Sequence, residues 1–587
     1  MKHLRRSVGS PVAWAATAVF VAVMVLWTIV TPGFRNPDEP QHVNSVLRVA
    51  EGGGWPAPAD AYMAPEVLRA KTLTGFSAID GQSGNWAGGT LLPGVRPTIP
   101  EADLQYFALF SSQTPTAVED REQFDELELS PGVDLTQHGD QMTQHPPLYY
   151  AVNAAVVKAT GALDWRFDRA MALMRLVSVL LVAPLPLMAF TVVQRLTGRR
   201  RLADLAAVLP LAIPQLAALG GSVTNDAMVI ALGGLLTVLL ARILTGDRGW
   251  KTLIGAAVVL GLALLTKGTM LAAVPVAGLA VVVGARRAPQ LPWRATLIRL
   301  AGLWVPAFLV GGWWYGLNYL RYGTIQPAGI PEDGLERLII DRPRSSVFEY
   351  AGIFWDKITG TFWGTFGQLE LHLPTVLVVG LSVALLVAVV LSLRGRTSRL
   401  PLLVLLAFCG VMLVALFLQT YLSHLGNGRY AGIQGRYLYG GLVALIAAIA
   451  LGIGGATRPG GRIERWLPTV GLLGSSGLAA YGLWVGFQGY YIDIDYTVAQ
   501  GWARMIEWSP WPSWAVNGLA LGVVLLTLAA LAVSVVSALR TGGDTEPVHP
   551  ADDATSTGNE PDGRGDGVAP TRSGEPRRVE PAPTASR

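Results

Sequence analysis

Long apolar runs separated by short polar breaks fill the chain as far as about residue 540. A helix crossing a bilayer needs about 20 mostly apolar residues. Candidate runs lie near 11–31, 170–194, 203–221, 225–244, 252–266, 269–285, 299–319, 373–393, 400–420, 437–455, 467–487 and 514–539, with 252–266 the shortest. The pattern predicts an all-α polytopic membrane protein with about 12 transmembrane helices. The first run ends in Pro32-Gly33-Phe34, which offers no small-residue cleavage site, so it reads as an anchor. The segment 147–160 is apolar but breaks the charge parity of the loops if counted as a span, so it reads as an interfacial helix.

That parity comes from the basic residues. Lys2, Arg5 and Arg6 precede the first run, and every second short loop is basic: Arg195 with Arg199–Arg201, Arg248 with Lys251, Arg286 with Arg287 and Arg294, Arg394 with Arg396 and Arg399, and Arg458 with Arg462 and Arg465. The positive-inside rule then puts both termini in the cytoplasm. Composition agrees with the membrane class: 51% of the 587 residues are hydrophobic and 15% charged, against about 25% charged in soluble domains. The excess of Arg over Lys, with the Ala and Gly load, points to a GC-rich bacterial genome, and the expected location is the bacterial plasma membrane. The single Cys409 excludes an intrachain disulfide and a cysteine metal cluster. The predicted organisation is a transmembrane domain over 1–540, with an extracytoplasmic loop carrying interfacial helices over 32–169 and a second outer loop over 320–372. From Thr541 the chain has no Leu, Ile, Met or aromatic residue, so 541–587 reads as a disordered cytoplasmic tail.

The long outer segments are where chemistry is expected. From Pro32 to about 145 the chain carries 16 Asp plus Glu against 6 Arg plus Lys. The cytoplasmic loops are short and hold no glycine-rich phosphate cradle, which argues against ATP-driven or nucleotide-sugar chemistry and gives no sign of a nucleic-acid partner. In Asn36-Pro37-Asp38-Glu39-Pro40-Gln41-His42 two prolines restrict the backbone around adjacent carboxylates. A plain helix cap is the competing reading of Asp38 or Glu39. Gln144-His145-Pro146-Pro147-Leu148-Tyr149-Tyr150 opens the interfacial helix, its tyrosines suited to a headgroup region. Asn225-Asp226, Lys267 and Gln434-Gly435-Arg436-Tyr437 lie at outer span ends, as does Arg175. Arg436 and Arg175 can fork hydrogen bonds onto a phosphate, and Lys267 can hold a phosphate or snorkel to headgroups. Carboxylates and isolated cations at one membrane level suit glycosyl transfer: a base takes the acceptor hydroxyl proton and cations stabilise the departing phosphate. Trp355, Trp363, Trp502, Trp508, Trp511 and Trp514 read mostly as an interfacial belt, with a subset able to stack on sugars.

Taken in order, Pro37 to His42, His145 to Tyr150, Asn225-Asp226, Gly261 to Lys267, Phe362 to Gly367 and Gln434 to Tyr437 resemble the motifs of the family labelled domain of unknown function 2142. The resemblance covers roughly 20–450. That family in turn resembles the glycosyltransferase C superfamily, whose members take a sugar from a polyprenyl phosphate at the extracytoplasmic face. The resemblance implies a catalytic carboxylate at Asp38 or Glu39, and a donor-phosphate role for Lys267 or Arg436, with Arg175 beside them. His42, His145, Asn225, Asp226, Gln434 and Tyr437 complete the expected substrate-binding set. Gln368-Leu369-Glu370 departs from the family pattern, which puts the role of that loop in doubt. The superfamily includes metal-dependent members. Asp38, Glu39, His42, His138, Asp140 and His145 could ligate a divalent metal, but no spacing is diagnostic and no cofactor is assigned. The expected partners are the bilayer, a polyprenyl-phosphate-sugar donor and a glycan, lipid or protein acceptor of the cell envelope. The competing functions are a transporter or flippase of lipid-linked glycans and a non-catalytic glycan-assembly protein.

Overall fold

A computed structural model describes residues 9–74, 116–129, 131–287, 291–329, 343–395, 399–492 and 497–540. The tail expected over 541–587 lies outside the described residues. Among the described residues, 10 helices are long and apolar enough to cross a membrane: Pro11–Val30, Phe167–Thr197, Asp226–Leu244, Gly268–Arg286, Trp293–Tyr322, Thr375–Ser392, Arg399–Asn427, Gly435–Gly455, Arg462–Tyr491 and Ser513–Leu539. Each coincides with an expected run. The other two expected runs differ from straight spans. Arg200–Ala212 and Pro214–Gly220 meet at 72°. Ile213 between them is extended, at φ −118° and ψ 87°, because a residue before proline is pushed out of the helical region. Trp250–Leu264 has 15 residues, about 22 Å at the helical rise, and stops short of a full hydrocarbon core.

The first span is the hub. Ser10 caps it, its hydroxyl accepting from Ala13 N at 3.0 Å, with Pro11 at the first helical position. It is buried along most of its length against Phe167–Val182, the bent pair, Arg462–Tyr491 and Ser513–Leu539. Trp293–Tyr322, Thr375–Ser392 and Ser513–Leu539 are instead exposed over most of their length, and their apolar side chains suit a lipid surface.

At one end of the bundle, helix Glu39–Ala50 packs on helix Leu148–Thr160. The second has 13 residues, too few to cross a bilayer. A separate apolar cluster including Phe34, Val46, Met63, Phe124, Tyr149 and Phe167 holds this layer together. The helix Val347–Trp363 starts with a reciprocal Ser346–Glu349 cap and runs into a two-stranded hairpin, Thr365–Phe366 against Leu371–His372. Here the departing Gln368-Leu369-Glu370 has a use. Glu370 accepts from Arg35 Nη2 at 2.9 Å with both side chains buried, and Gln368 Nε2 donates to Phe34 O at 3.2 Å. The hairpin is thereby tied to the turn that follows the first span. The tryptophans divide: Trp355 and Trp514 are exposed, while Trp363 is buried and donates to Ser382 Oγ at 3.0 Å, so it has no face for a sugar.

Candidate functional site

The turn after the first span puts the two adjacent carboxylates to opposite uses. Asp38 is in the left-handed region at φ 57°, a conformation that Asp tolerates better than most residues. Its side chain makes no cap hydrogen bond, so the helix-cap reading fails for it. Instead Gln141 Nε2 donates to Asp38 Oδ1 at 3.1 Å and Arg436 Nη2 to Oδ2 at 3.4 Å. The Asp38 side chain stays 37% exposed and lines an open cavity of about 220 Å³.

Glu39 is fully buried. Arg175 forks onto it, Nε to Oε1 at 2.8 Å and Nη2 to Oε2 at 2.6 Å, and Val223 N donates to Oε1 at 3.0 Å. The rest of Arg175 goes to the carbonyls of Thr28, Thr31 and Pro32 at 2.7–2.9 Å. Every N–H of the guanidinium is thereby taken. Arg175 has no donor left for a phosphate, and Glu39 has no exposed oxygen for a proton. The pair locks the turn to the helix Phe167–Val182 and to the loop before Asp226.

Two buried cations face the same side as Asp38. Lys267 interrupts the path from Trp250–Leu264 into Gly268–Ala272, its backbone extended at φ −158° and ψ 141°. Its Nζ donates to Asp226 Oδ1 at 2.5 Å, with the side chains 8% and 4% exposed. Asp226 therefore binds a cation rather than capping its helix. Arg436 lies 3.4 Å from Asp226 through Nε and reaches Asp38 through Nη2. Its buried Nη1 has no hydrogen-bond partner among the described residues. A buried unfilled N–H costs about 1–3 kcal/mol, and such groups in native proteins call for a water, an ion or a ligand. Tyr437 presents its ring to both cations, 5.1 Å from Lys267 Nζ and 5.7 Å from the Arg436 guanidinium. Gln434 Oε1, two residues before Arg436 in the chain, is also buried with no hydrogen-bond partner among the described residues.

His42, Tyr150 and Asn225 form the adjoining wall. His42 Nδ1 lies 2.9 Å from Tyr150 Oη, to which Asn225 Nδ2 donates at 3.4 Å. Tyr149 Oη meets Ser178 Oγ and accepts from Thr224 N, both at 2.9 Å. Both tyrosines are fully buried, so they tie elements together and do not anchor the chain to headgroups. Burial pushes the tyrosine hydroxyls above their ordinary range. Burial first, and Lys267 next, hold His42 well below the usual imidazole value and bring His145 down to about 3. Both rings are neutral at neutral pH, so they leave the balance of two carboxylates and two cations unchanged.

The expected site residues thus converge, with Glu39 and Arg175 turned inward beneath the rest. Asp140, offered as a metal ligand, accepts from Asn44, Ser45 and Met142 N and pairs with Arg48, and His138 is exposed. Among the described residues, no group of three or more His, Cys, Asp and Glu is placed to hold a metal ion. The sequence reading missed Gln141, Gln41 and Gln368. No local pattern marks a glutamine as functional, and these reach Asp38 or its cavity from three separate segments.

Residues 21–445 match the family model described as "Predicted membrane protein (DUF2142)". No curated protein matches the chain. Among solved structures it is similar to ArnT from Cupriavidus metallidurans bound to undecaprenyl phosphate, at 15% identity and a TM-score of 0.42, covering 90% of this chain and 78% of that one. It is also similar to the Archaeoglobus fulgidus oligosaccharyltransferase in the apo form, at 11% identity and a TM-score of 0.41, covering 85% of this chain and 60% of that one. For AglB from Archaeoglobus fulgidus, in complex with an inhibitory peptide and a dolichol-phosphate, the values are 10% identity and a TM-score of 0.35, covering 89% and 56%.

Proposed function

We propose a function for a chain that belongs to the DUF2142 family of predicted membrane proteins: transfer of a sugar from a polyprenyl-phosphate carrier to an acceptor hydroxyl at the extracytoplasmic face. The observation that carries this reading is one connected group. A carboxylate open to a cavity, Asp38, is joined through Arg436 to the buried Asp226–Lys267 pair, and among the described residues Arg436 keeps an unfilled donor.

The roles follow from the chemistry of the groups. The acceptor hydroxyl oxygen attacks the anomeric carbon of the donor sugar while its proton passes to Asp38. The bond between that carbon and the phosphate oxygen breaks, and its electron pair leaves with the polyprenyl phosphate. Arg436 and Lys267 meet the charge that collects on the phosphate; buried donors already aimed at that charge need little reorganisation. Asp226 keeps the two cations together when no donor is bound. Neutral His42 and His145 can donate or accept hydrogen bonds without adding charge. Glu39 and Arg175 hold the strained turn from which Asp38 projects.

Arg436→Lys tests the phosphate role, because it keeps the charge and removes the fork. In membranes carrying equal protein, retention of radiolabelled polyprenyl-phosphate sugar should fall about tenfold or more, as for loss of one or two charge-assisted hydrogen bonds. Retention equal to wild type would remove Arg436 from the donor site.

A further inference from the structure

We propose that the cavity beside Asp38 is the acceptor subsite and that its occupant is a sugar unit of a glycan. This rests on the transferase reading above and narrows its acceptor from glycan, lipid or protein to one class.

The cavity of about 220 Å³ is lined by Gln41, His138 and Gln368 along with Asp38, Lys71 and a few apolar groups. Gln41 stands on the first turn of helix Glu39–Ala50. The Gln368 amide is oriented by its bond to Phe34 O. A primary amide offers donors and acceptors from one plane, and an imidazole offers one of each. A sugar presents the matching array, hydroxyls that both donate and accept. Among the described residues, Asp38 and Lys71 are the charged groups of the lining, so recognition rests mainly on neutral hydrogen bonds.

A peptide acceptor fits less well. Extended peptides are commonly held by free backbone groups at a strand edge. Here the backbone at the cavity wall is already paired: Met63 N donates to His138 O and Asp140 N to Ala61 O, both at 2.8 Å, across the Tyr62–Gly139 bridge. A lipid chain fits less well again, because it would set the glutamines, His138 and Lys71 against methylenes. The location also serves the reaction. Asp38 belongs to both the cavity and the ion pair with Arg436. An acceptor hydroxyl in the cavity therefore meets the base on one side while the donor phosphate is held on the Arg436 side.

The test needs no turnover. The full chain in lipid nanodiscs is mixed with methyl hexopyranosides and methyl pentofuranosides in one series, and with tetrapeptides containing Ser, Thr or Asn in another. Saturation-transfer NMR reads binding. At least one glycoside should receive saturation, no peptide should, and Gln41→Leu should weaken the glycoside about tenfold through loss of neutral hydrogen bonds. His138→Ala, on an exposed loop, is the second variant should Gln41→Leu fail to fold, and a weakening there supports the same subsite. Peptide binding in place of glycoside binding, glycoside binding unchanged in both variants, or no saturation of any glycoside would overturn the proposal. Asp38→Asn should still bind the glycoside. Failure of the transferase reading shows in transfer by that variant, and failure of this proposal shows in binding.

Discussion

At the scale of single residues, the two adjacent carboxylates separate an accessible group, Asp38, from a buried one, Glu39. Glu39 is an anion with no access to water, and its cation is Arg175. Removing one member of a buried pair leaves the other uncompensated, at a cost of about 3–5 kcal/mol. Arg175→Met should therefore lower the heat resistance and the membrane level of the protein, and donor retention per folded molecule should stay near wild type. A stable Arg175→Met protein that has lost donor retention would return Arg175 to the phosphate site. The histidines give a second expectation at this scale. The folded-state value of each lies below the ordinary 6.5. The unfolded chain binds the proton first as pH falls. Their contribution to stability is complete above about pH 6.5 and is lost on acidification, for His145 down through about 3. His145→Phe should flatten the fall of the thermal midpoint between about pH 6.5 and 4, and identical pH profiles would contradict a neutral buried ring. The sequence showed which residue types matter here but not which way each points. Asp38 and Glu39 are neighbours in the same motif, and only the position of Arg175, on a distant helix, tells them apart.

At the scale of elements, spans were legible wherever length and hydropathy alone decide. The bend between Ala212 and Pro214 was visible as Pro210 and Pro214, but hydropathy reads across a proline without noticing it. The short helix Trp250–Leu264 falls on the shortest of the runs, and the extended Lys267 follows its end, its placement beside Asp226 depending on that break. The segment Gly435–Gly441 shows how packing sets chemistry. A Cβ on Gly435 would stand 2.2 Å from Ile358 O and 2.6 Å from Phe362 N, and Gly435 N donates to Thr361 Oγ1 at 2.7 Å. Only glycine lets the next residue, Arg436, sit this close to helix Val347–Trp363. Gly435→Ala should push the segment away and carry Arg436 with it. The expected result is a folded protein, since the clash is confined to one turn, with donor retention reduced about as far as in Arg436→Lys. Donor retention at the wild-type level in Gly435→Ala would show that the position of Arg436 is not set this way.

At the scale of the whole molecule, the bundle joins an apolar exterior to a polar layer at one end, and the site lies where that layer meets the helix ends. Such a boundary suits a reaction between a lipid-borne donor and a water-borne acceptor. The family motifs were legible because each marks a place where polar groups converge: a turn after a span, a broken helix, a tight glycine segment. The convergence itself was not, since Asp38 and Arg436 are 398 positions apart and no local pattern records such a distance. The account stands or falls on Asp38 as the proton acceptor in sugar transfer. Asp38→Asn keeps the size, the left-handed backbone preference and the hydrogen-bonding reach of the side chain, and removes the basic oxygen. Loss of general-base assistance is worth about 10²–10⁴-fold in rate. The measurement is sugar transfer from radiolabelled polyprenyl-phosphate sugar in membranes carrying equal wild-type or Asp38→Asn protein, with donor retention measured in the same membranes. The account predicts transfer reduced by about a hundredfold or more with donor retention preserved, and transfer at the wild-type rate would contradict it.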